Sequence, residues 1–360
     1  MQITSPRTRV WAGNPLSPID SISQGTVPSI VGPSGIAAPT GSITGWTLIV
    51  SEGFDVPVPL GNWPYGVSHY RPRWRTYDVG TRDTTPGKGL YDDARTNTVA
   101  GSCLRADMHY DATSGEHLVS LSTFAVVPDA ASTALTGQIY GRYSICMKAT
   151  YTGAGTSGAH KVVPLLWPRD DVWPAHGEVD WPECAITPSA TATAYMHYAN
   201  AGGGQDIRNS SALISAWHVY TTEWSPNLAR FFVDGTQVGA DCVTNIPSTE
   251  MRWTLQFETE ITSALTSITS ATDTLTKAGH GLNTGDVVKF EVTGGASGVA
   301  LGIHYYVVSA LSGTFKVSAT RGGSPITLGT ASGITVRRWP APDDSALVEV
   351  DWCAMYAYTP

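Results

Sequence analysis

The run Glu178-Val179-Asp180-Trp181-Pro182-Glu183 places three carboxyl groups within six residues, and its alternation restricts the backbone that can carry it. Side chains of a β-strand alternate between faces, so Glu178 and Asp180 point one way while Val179 and Trp181 point the other, toward a core. Glu183 falls on the wrong parity. One extra residue in the strand, a β-bulge, returns Glu183 to the face of the other two acids and bends the strand there. Pro182 stands where the bulge is needed, and proline, which cannot donate to a sheet ladder, is tolerated at bulges and edges. The run therefore predicts a kinked strand with three acids on one surface.

Composition points the same way. The 360 residues include 37 glycines and 23 prolines, only 14% are charged, and apolar stretches are short and punctuated by turn residues. This is the texture of an all-β protein. A formal net charge of -8 argues against a nucleic-acid partner, which requires a concentrated basic footprint. Cys103, Cys146, Cys184, Cys242 and Cys353 are scattered, odd in number and without metal-ligand spacing, so neither a disulfide framework nor a zinc site is inferred. No stretch is long enough for membrane insertion, and Met1 to Gly13 lack the apolar segment of a secretory signal. Either the chain begins after processing, or the protein leaves its producing cell by another route.

An E-x-D-x-x-E spacing alone arises by chance in about one chain of this length in fifteen, so the flanks decide its meaning. Upstream stand Tyr140-Gly141-Arg142-Tyr143, then Val162-Val163-Pro164-Leu165-Leu166-Trp167-Pro168, then Trp173-Pro174-Ala175-His176-Gly177 leading into the acids. Downstream come Trp217-His218-Val219-Tyr220, Glu223-Trp224-Ser225-Pro226 and Phe231-Phe232-Val233-Asp234-Gly235, then Leu255-Gln256-Phe257-Glu258-Thr259 and Val350-Asp351-Trp352. Together these resemble glycoside hydrolase family 16, the laminarinase-like endo-glycanases. The resemblance covers roughly residues 45 to 260 and 340 to 360, in ordered pieces. It implies a concanavalin A-like β-jelly-roll sandwich of two packed antiparallel sheets.

Three parts are expected. Residues 1-40, rich in proline, read as an extended N-terminal arm, either a disordered leader or an attachment arm that becomes ordered against a partner. Residues 41-261 form the jelly-roll, completed by 338-360. Residues 262-337, rich in Thr, Ser and Gly with their own short β pattern, read as an inserted small β domain. The stretch Ala278-Gly279-His280-Gly281-Leu282, Thr284-Gly285-Asp286-Val287-Val288 and His304-Tyr305-Tyr306-Val307-Val308 resembles modules of phage tail and virion proteins. That resemblance implies release by lysis, hence an extracellular or virion location, and tail proteins as partners through the arm. His280 and His304 read as structural. Assembly into a homo-oligomer is left open.

The chemistry follows from the acids. Retaining hydrolysis of a glycosidic bond uses one carboxylate as nucleophile and a second carboxyl as proton donor. By resemblance Glu178 is the nucleophile, Glu183 the acid/base, and Asp180 lies between them. Crowding of three like charges predicts that one proton is retained, and Glu183 is expected to hold it. Tyr195 and His197 share a face by parity, as do Gln256 and Glu258, and family pattern puts both pairs in the cleft. Trp167 and Trp173 are the expected sugar-stacking rings, while Trp181 and Trp253 belong to the core. No cofactor is required. Many relatives hold a structural calcium, and Glu52, Gly101 and Asp351 occupy matching positions. The activity implied is endo-hydrolysis of a neutral polysaccharide, β-1,3-glucan-like or galactan-like, for example from a bacterial cell envelope. Alternatives are a non-catalytic carbohydrate-binding jelly-roll adhesin of a phage tail, or a polysaccharide lyase, against which the low Lys and Arg content argues.

Overall fold

A computed structural model of the protein describes residues 11-12, 32-82, 89-125, 137-153, 158-259 and 264-360. Two antiparallel sheets face each other. The first runs Trp74–Tyr77, Glu116–Phe124, Met251–Thr259, His160–Pro168, Glu178–Ala185, Thr191–His197, Gln205–Leu213 in spatial order. The second runs Leu228–Val233, His218–Ser225, Gly141–Tyr151, Ala346–Tyr358. The long last strand then pairs with Leu104–Asp111 along its first half and with Trp46–Glu52 along its second. This is the two-sheet jelly-roll, and the one helix among the described residues is the four-residue Asp93–Thr96.

Alternation explains the packing. Trp253, Leu255 and Phe257 enter the core between the sheets, as do Ala192, Ala194 and Met196, leaving the residues between them on the opposite face. Tyr143, Ile145 and Met147 approach from the second sheet. Trp253 stacks on Phe124 at 5.4 Å and meets Tyr143 edge-on at 5.4 Å, which ties the two sheets together. Each such large apolar side chain, once buried, stabilises the fold by about 1.5–3 kcal/mol.

Between Thr259 and Ala346 the chain builds a second unit. Six strands close a barrel in the order Leu265–Ala271, Thr274–Thr276, Thr314–Ser318, His304–Val308, Val287–Val292, Ala331–Trp339. Closure leaves no free sheet edge. The barrel has its own core, including Val288, Phe290, Val307, Phe315, Ile334 and Val336. It meets the sandwich through Tyr110 against His304 at 5.7 Å, and Arg321 pairs at 2.6 Å with Asp343 in the connection to the last strand. His280 is buried with Nε2 donating to the Leu311 carbonyl at 2.6 Å while Nδ1 accepts from Leu282 N–H, so it serves structure.

Most of the expected arm, residues 1-10 and 13-31, lies outside the described residues. Trp11–Ala12 pairs with Thr76 and Tyr77 at the edge of the first sheet. Residues 32-38 lie on the molecule's own second sheet: the Ile36 carbonyl accepts from Trp352 Nε1 at 2.9 Å, and Ile36 and Ala38 pack beside Trp46 and Trp352. Gly32 is needed there because a Cβ would meet Asp351 Oδ1 at 1.8 Å.

Candidate active site

The acid strand Glu178–Ala185 carries one extra residue relative to both neighbours. Against Thr191–His197, the three steps from Asp180 to Glu183 match the two from Tyr195 to Thr193. Against His160–Pro168, the four steps from Asp180 to Cys184 match the three from Leu165 to Val162. This is the bulge at Trp181-Pro182. Trp181 points into the core and its Nε1 donates to the Phe232 carbonyl at 3.1 Å, while Glu178, Asp180 and Glu183 share the opposite face. Gly177 delivers the chain into the strand at φ +73°, and a Cβ there would meet the His197 carbonyl at 2.8 Å.

Asp180 is the buried member. Its Oδ2 lies 3.0 Å from His197 Nε2, its Oδ1 is buried without a hydrogen-bond partner, and its carboxyl is hydrogen-bonded to that of Glu178. Two carboxyls bond only when one keeps a proton. Burial, reinforced by the neighbouring carboxylates, pushes both Glu178 and Asp180 well above the usual carboxylate range.

Glu183 sits differently. Its Oε1 accepts from Lys161 Nζ at 2.8 Å, and the same ammonium lies 3.2 Å from Oε1 of buried Glu258. Lys161 thus bridges Glu183 and Glu258 across three neighbouring strands. Parity alone would have found Lys161, which shares a face with Val163, Leu165 and Trp167 on its strand, but not which acid it meets.

The remaining expected residues fall as follows. Tyr195 and His197 share the acid face with rings 6.2 Å apart, and Trp173, 40% exposed, meets His197 edge-on at 6.3 Å. Trp167 is half-buried on this face, its Nε1 donating to Asp171 Oδ1 at 2.7 Å. That carboxylate also takes Arg252, a cation the sequence reading did not single out. Gln256 lies on the same face and donates to Glu258 Oε2 at 3.0 Å.

The convex-side positions do not fit calcium. Both oxygens of buried Glu52 are occupied, Oε2 by Arg73 Nη1 at 3.1 Å and Oε1 by the Phe54 N–H at 3.2 Å and His69 Nε2 at 3.4 Å. A guanidinium repels a divalent cation from the same carboxylate. Asp351 Oδ2 accepts from the Ser34 N–H at 3.0 Å and from the Ser34 hydroxyl, and Gly101 lies in the bend before Leu104–Asp111. Among the described residues, the one place where three acidic, His or Cys side chains bring ligand atoms within 4.8 Å of one another is Glu178, Asp180 and His197. There Asp180 Oδ2 already lies 3.0 Å from the His197 imidazole.

A two-sheet sandwich with a bulged strand presenting three acids on an open face defines a glycoside hydrolase of the jelly-roll class. The family model described as Glycosyl hydrolases family 16 matches residues 104–293, more than half of the chain, and the protein belongs to that family. Solved structures agree in fold. LamAcat from Zobellia galactanivorans superposes with a TM-score of 0.50 at 13% identity over 86% of this chain and 97% of that one. SCLam, a non-specific endo-beta-1,3(4)-glucanase from family GH16, gives 0.50 at 14% identity over 92% and 98%. A mutant of SCLam co-crystallized with 1,3-beta-D-cellotriosyl-glucose gives 0.50 at 14% over 88% and 97%. No protein of curated function matches the chain.

Proposed function

We propose that the protein is a retaining endo-β-glycanase acting on a neutral polysaccharide, β-1,3-glucan-like or galactan-like. The observation that carries this reading is the one-residue bulge that turns Glu183 onto the face of Glu178 and Asp180. In the first step a Glu178 oxygen bonds to the anomeric carbon, the glycosidic C–O bond breaks, and the leaving oxygen takes the proton of Glu183. In the second, water adds to the anomeric carbon, its proton passes to Glu183, and the bond to Glu178 breaks. Attack requires Glu178 to be the carboxylate of the pair, with the pair's proton on Asp180 at that step. No metal or organic cofactor enters these steps.

Several features support a neutral polymer. The cations of the acid face are committed to protein carboxylates, Lys161 to Glu183 and Glu258, and Arg252 to Asp171. Exposed Trp173 beside His197, with Ile207 45% exposed across from Tyr195, offers apolar surface of the kind sugar C–H faces stack on. Placement of the barrel as an insert, with its resemblance to tail modules, supports a virion-borne depolymerase of a bacterial envelope glycan, attached to tail proteins through the N-terminal segment.

The test is Glu178→Gln in the full chain, assayed for reducing-end release and product anomeric configuration on glucans, galactans and envelope extracts. Cleavage should fall to background with the thermal transition unchanged. Undiminished turnover would refute the nucleophile, and glycan binding without cleavage by the unaltered protein would instead identify an adhesin.

A further inference from the structure

Lys161 stands between two acids on neighbouring strands. Sheet register pairs it directly with Glu258 on one side and with Ala185 on the other, and the bulged strand brings Glu183 to the same face. Its ammonium lies 2.8 Å from Glu183 Oε1 and 3.2 Å from Glu258 Oε1, with the lysine side chain 17% exposed and that of Glu258 only 1%. An ammonium has three donors and can hold both carboxylates at once or favour either. The other titratable groups acting on Glu183 are acidic or neutral: Glu178 and Asp180 on its own strand, Cys184 beside it, and Tyr195 on the adjacent strand.

We propose that Lys161 is the positioning residue of the acid/base step, shifting its ammonium toward Glu183 as that carboxyl loses its proton and toward Glu258 as it regains one. The inference rests on the reading of Glu183 as acid/base. Departure of the proton to the leaving oxygen creates a carboxylate beside Glu178 and Asp180, a like-charge crowd that Lys161 offsets. When water returns a proton to Glu183, that acceptor becomes neutral, and the ammonium is retained by Glu258, which is buried and cannot turn to solvent. Glu258 thus limits how strongly Lys161 favours the ionised form. Without Lys161 the acid would hold its proton too tightly; without Glu258 it would release it too readily.

Opposed variants separate this device from a merely structural salt bridge. Side-chain carboxyl ¹³C resonances of glutamate-labelled protein, with Glu183 assigned through Glu183→Gln, give its midpoint directly. Lys161→Met should raise that midpoint by about 1 to 2 pH units, the range for loss of an adjacent opposite charge, whereas Glu258→Gln should lower it. The alkaline limb of kcat/KM on laminarin should move with the midpoint in each variant, and Lys161→Arg should restore it. A midpoint unmoved in Lys161→Met, or moved the same way by both variants, overturns the proposal. Absence of hydrolysis on every glycan by the unaltered protein would sink the functional reading, while the carboxyl titration would still decide the role of Lys161. Should Glu258→Gln not fold, the Lys161→Met titration decides alone.

Discussion

His197 Nε2 lies 3.0 Å from Asp180 Oδ2, and the register that sets Glu178 opposite His197 and Asp180 opposite Tyr195 makes this contact a diagonal of the sheet. The imidazole fixes the acid that in turn holds the proton shared with Glu178. Replacing His197 by Ala should lower kcat by about 10- to 100-fold, the worth of one hydrogen bond to a charged group, about 1.5–3 kcal/mol. KM should change little. Steady-state kinetics on a soluble β-glucan would show this, and a change confined to KM would place His197 in substrate binding alone.

Asp180→Asn should separate stability from activity. Glu178 and Asp180 bind protons more tightly in the folded protein than in the unfolded chain. Their contribution to stability is therefore fully present below the unfolded-state values of about 4 and is lost as pH rises through the folded ones. The variant removes one of the two burdened acids, so its melting temperature should exceed that of the unaltered protein at pH 7–8, with the gain closing toward pH 4. Activity should fall at the same time. Calorimetric scans across this range would expose the opposite trend if the pair were ionised without cost.

Glu183→Gln should depend on the leaving group. Loss of a general acid costs about 10²- to 10⁴-fold when the departing oxygen needs protonation. With an aryl glycoside whose phenol leaves unaided, the first step should be nearly restored. Equal losses on both substrates would remove Glu183 from the acid role.

A buried histidine pair at the barrel junction should make the protein labile to acid. His117 Nε2 donates to the Ala341 carbonyl at 2.9 Å, so its Nδ1 is the acceptor for His160 Nε2–H at 3.2 Å, and His160 Nδ1 is left buried without a partner. Burial lowers His117 to about 4 and His160 well below its ordinary value. The unfolded chain binds protons near pH 6.5 and the folded one does not, so stability present above that pH is lost as pH falls toward 4. For His117 the loss is about 3 kcal/mol. His117→Gln, which keeps a donor for Ala341, should flatten the fall in denaturant midpoint between pH 6.5 and 4.

Chelation should leave the fold untouched. Arg73 holds Glu52 at 3.1 Å and Ser34 holds Asp351 at 3.0 Å, in the positions expected to share a calcium. EDTA and added calcium should therefore not move the melting temperature. Arg73→Ala should destabilise by about 2 kcal/mol, less than a fully buried pair because Arg73 is partly exposed. A melting temperature that rises several degrees with calcium would show that the ion has a place here after all.

What the sequence determined by itself was parity. Alternation put Glu178 and Asp180 opposite Val179 and Trp181, grouped Tyr195 with His197, set Gln256 and Glu258 apart from Trp253, Leu255 and Phe257, and required the bulge at Pro182. A period of two is a property of the strand's own backbone and needs no neighbour. Charge partnership is different, because Lys161 meets Glu183 only when two separate strands are laid side by side in one register. The same holds for Arg73 with Glu52, for Ser34 with Asp351, and for His117 with His160. Pairing of strands therefore decided which carboxyl is buried beside another acid and which meets a cation, and neither neighbour is written along the chain.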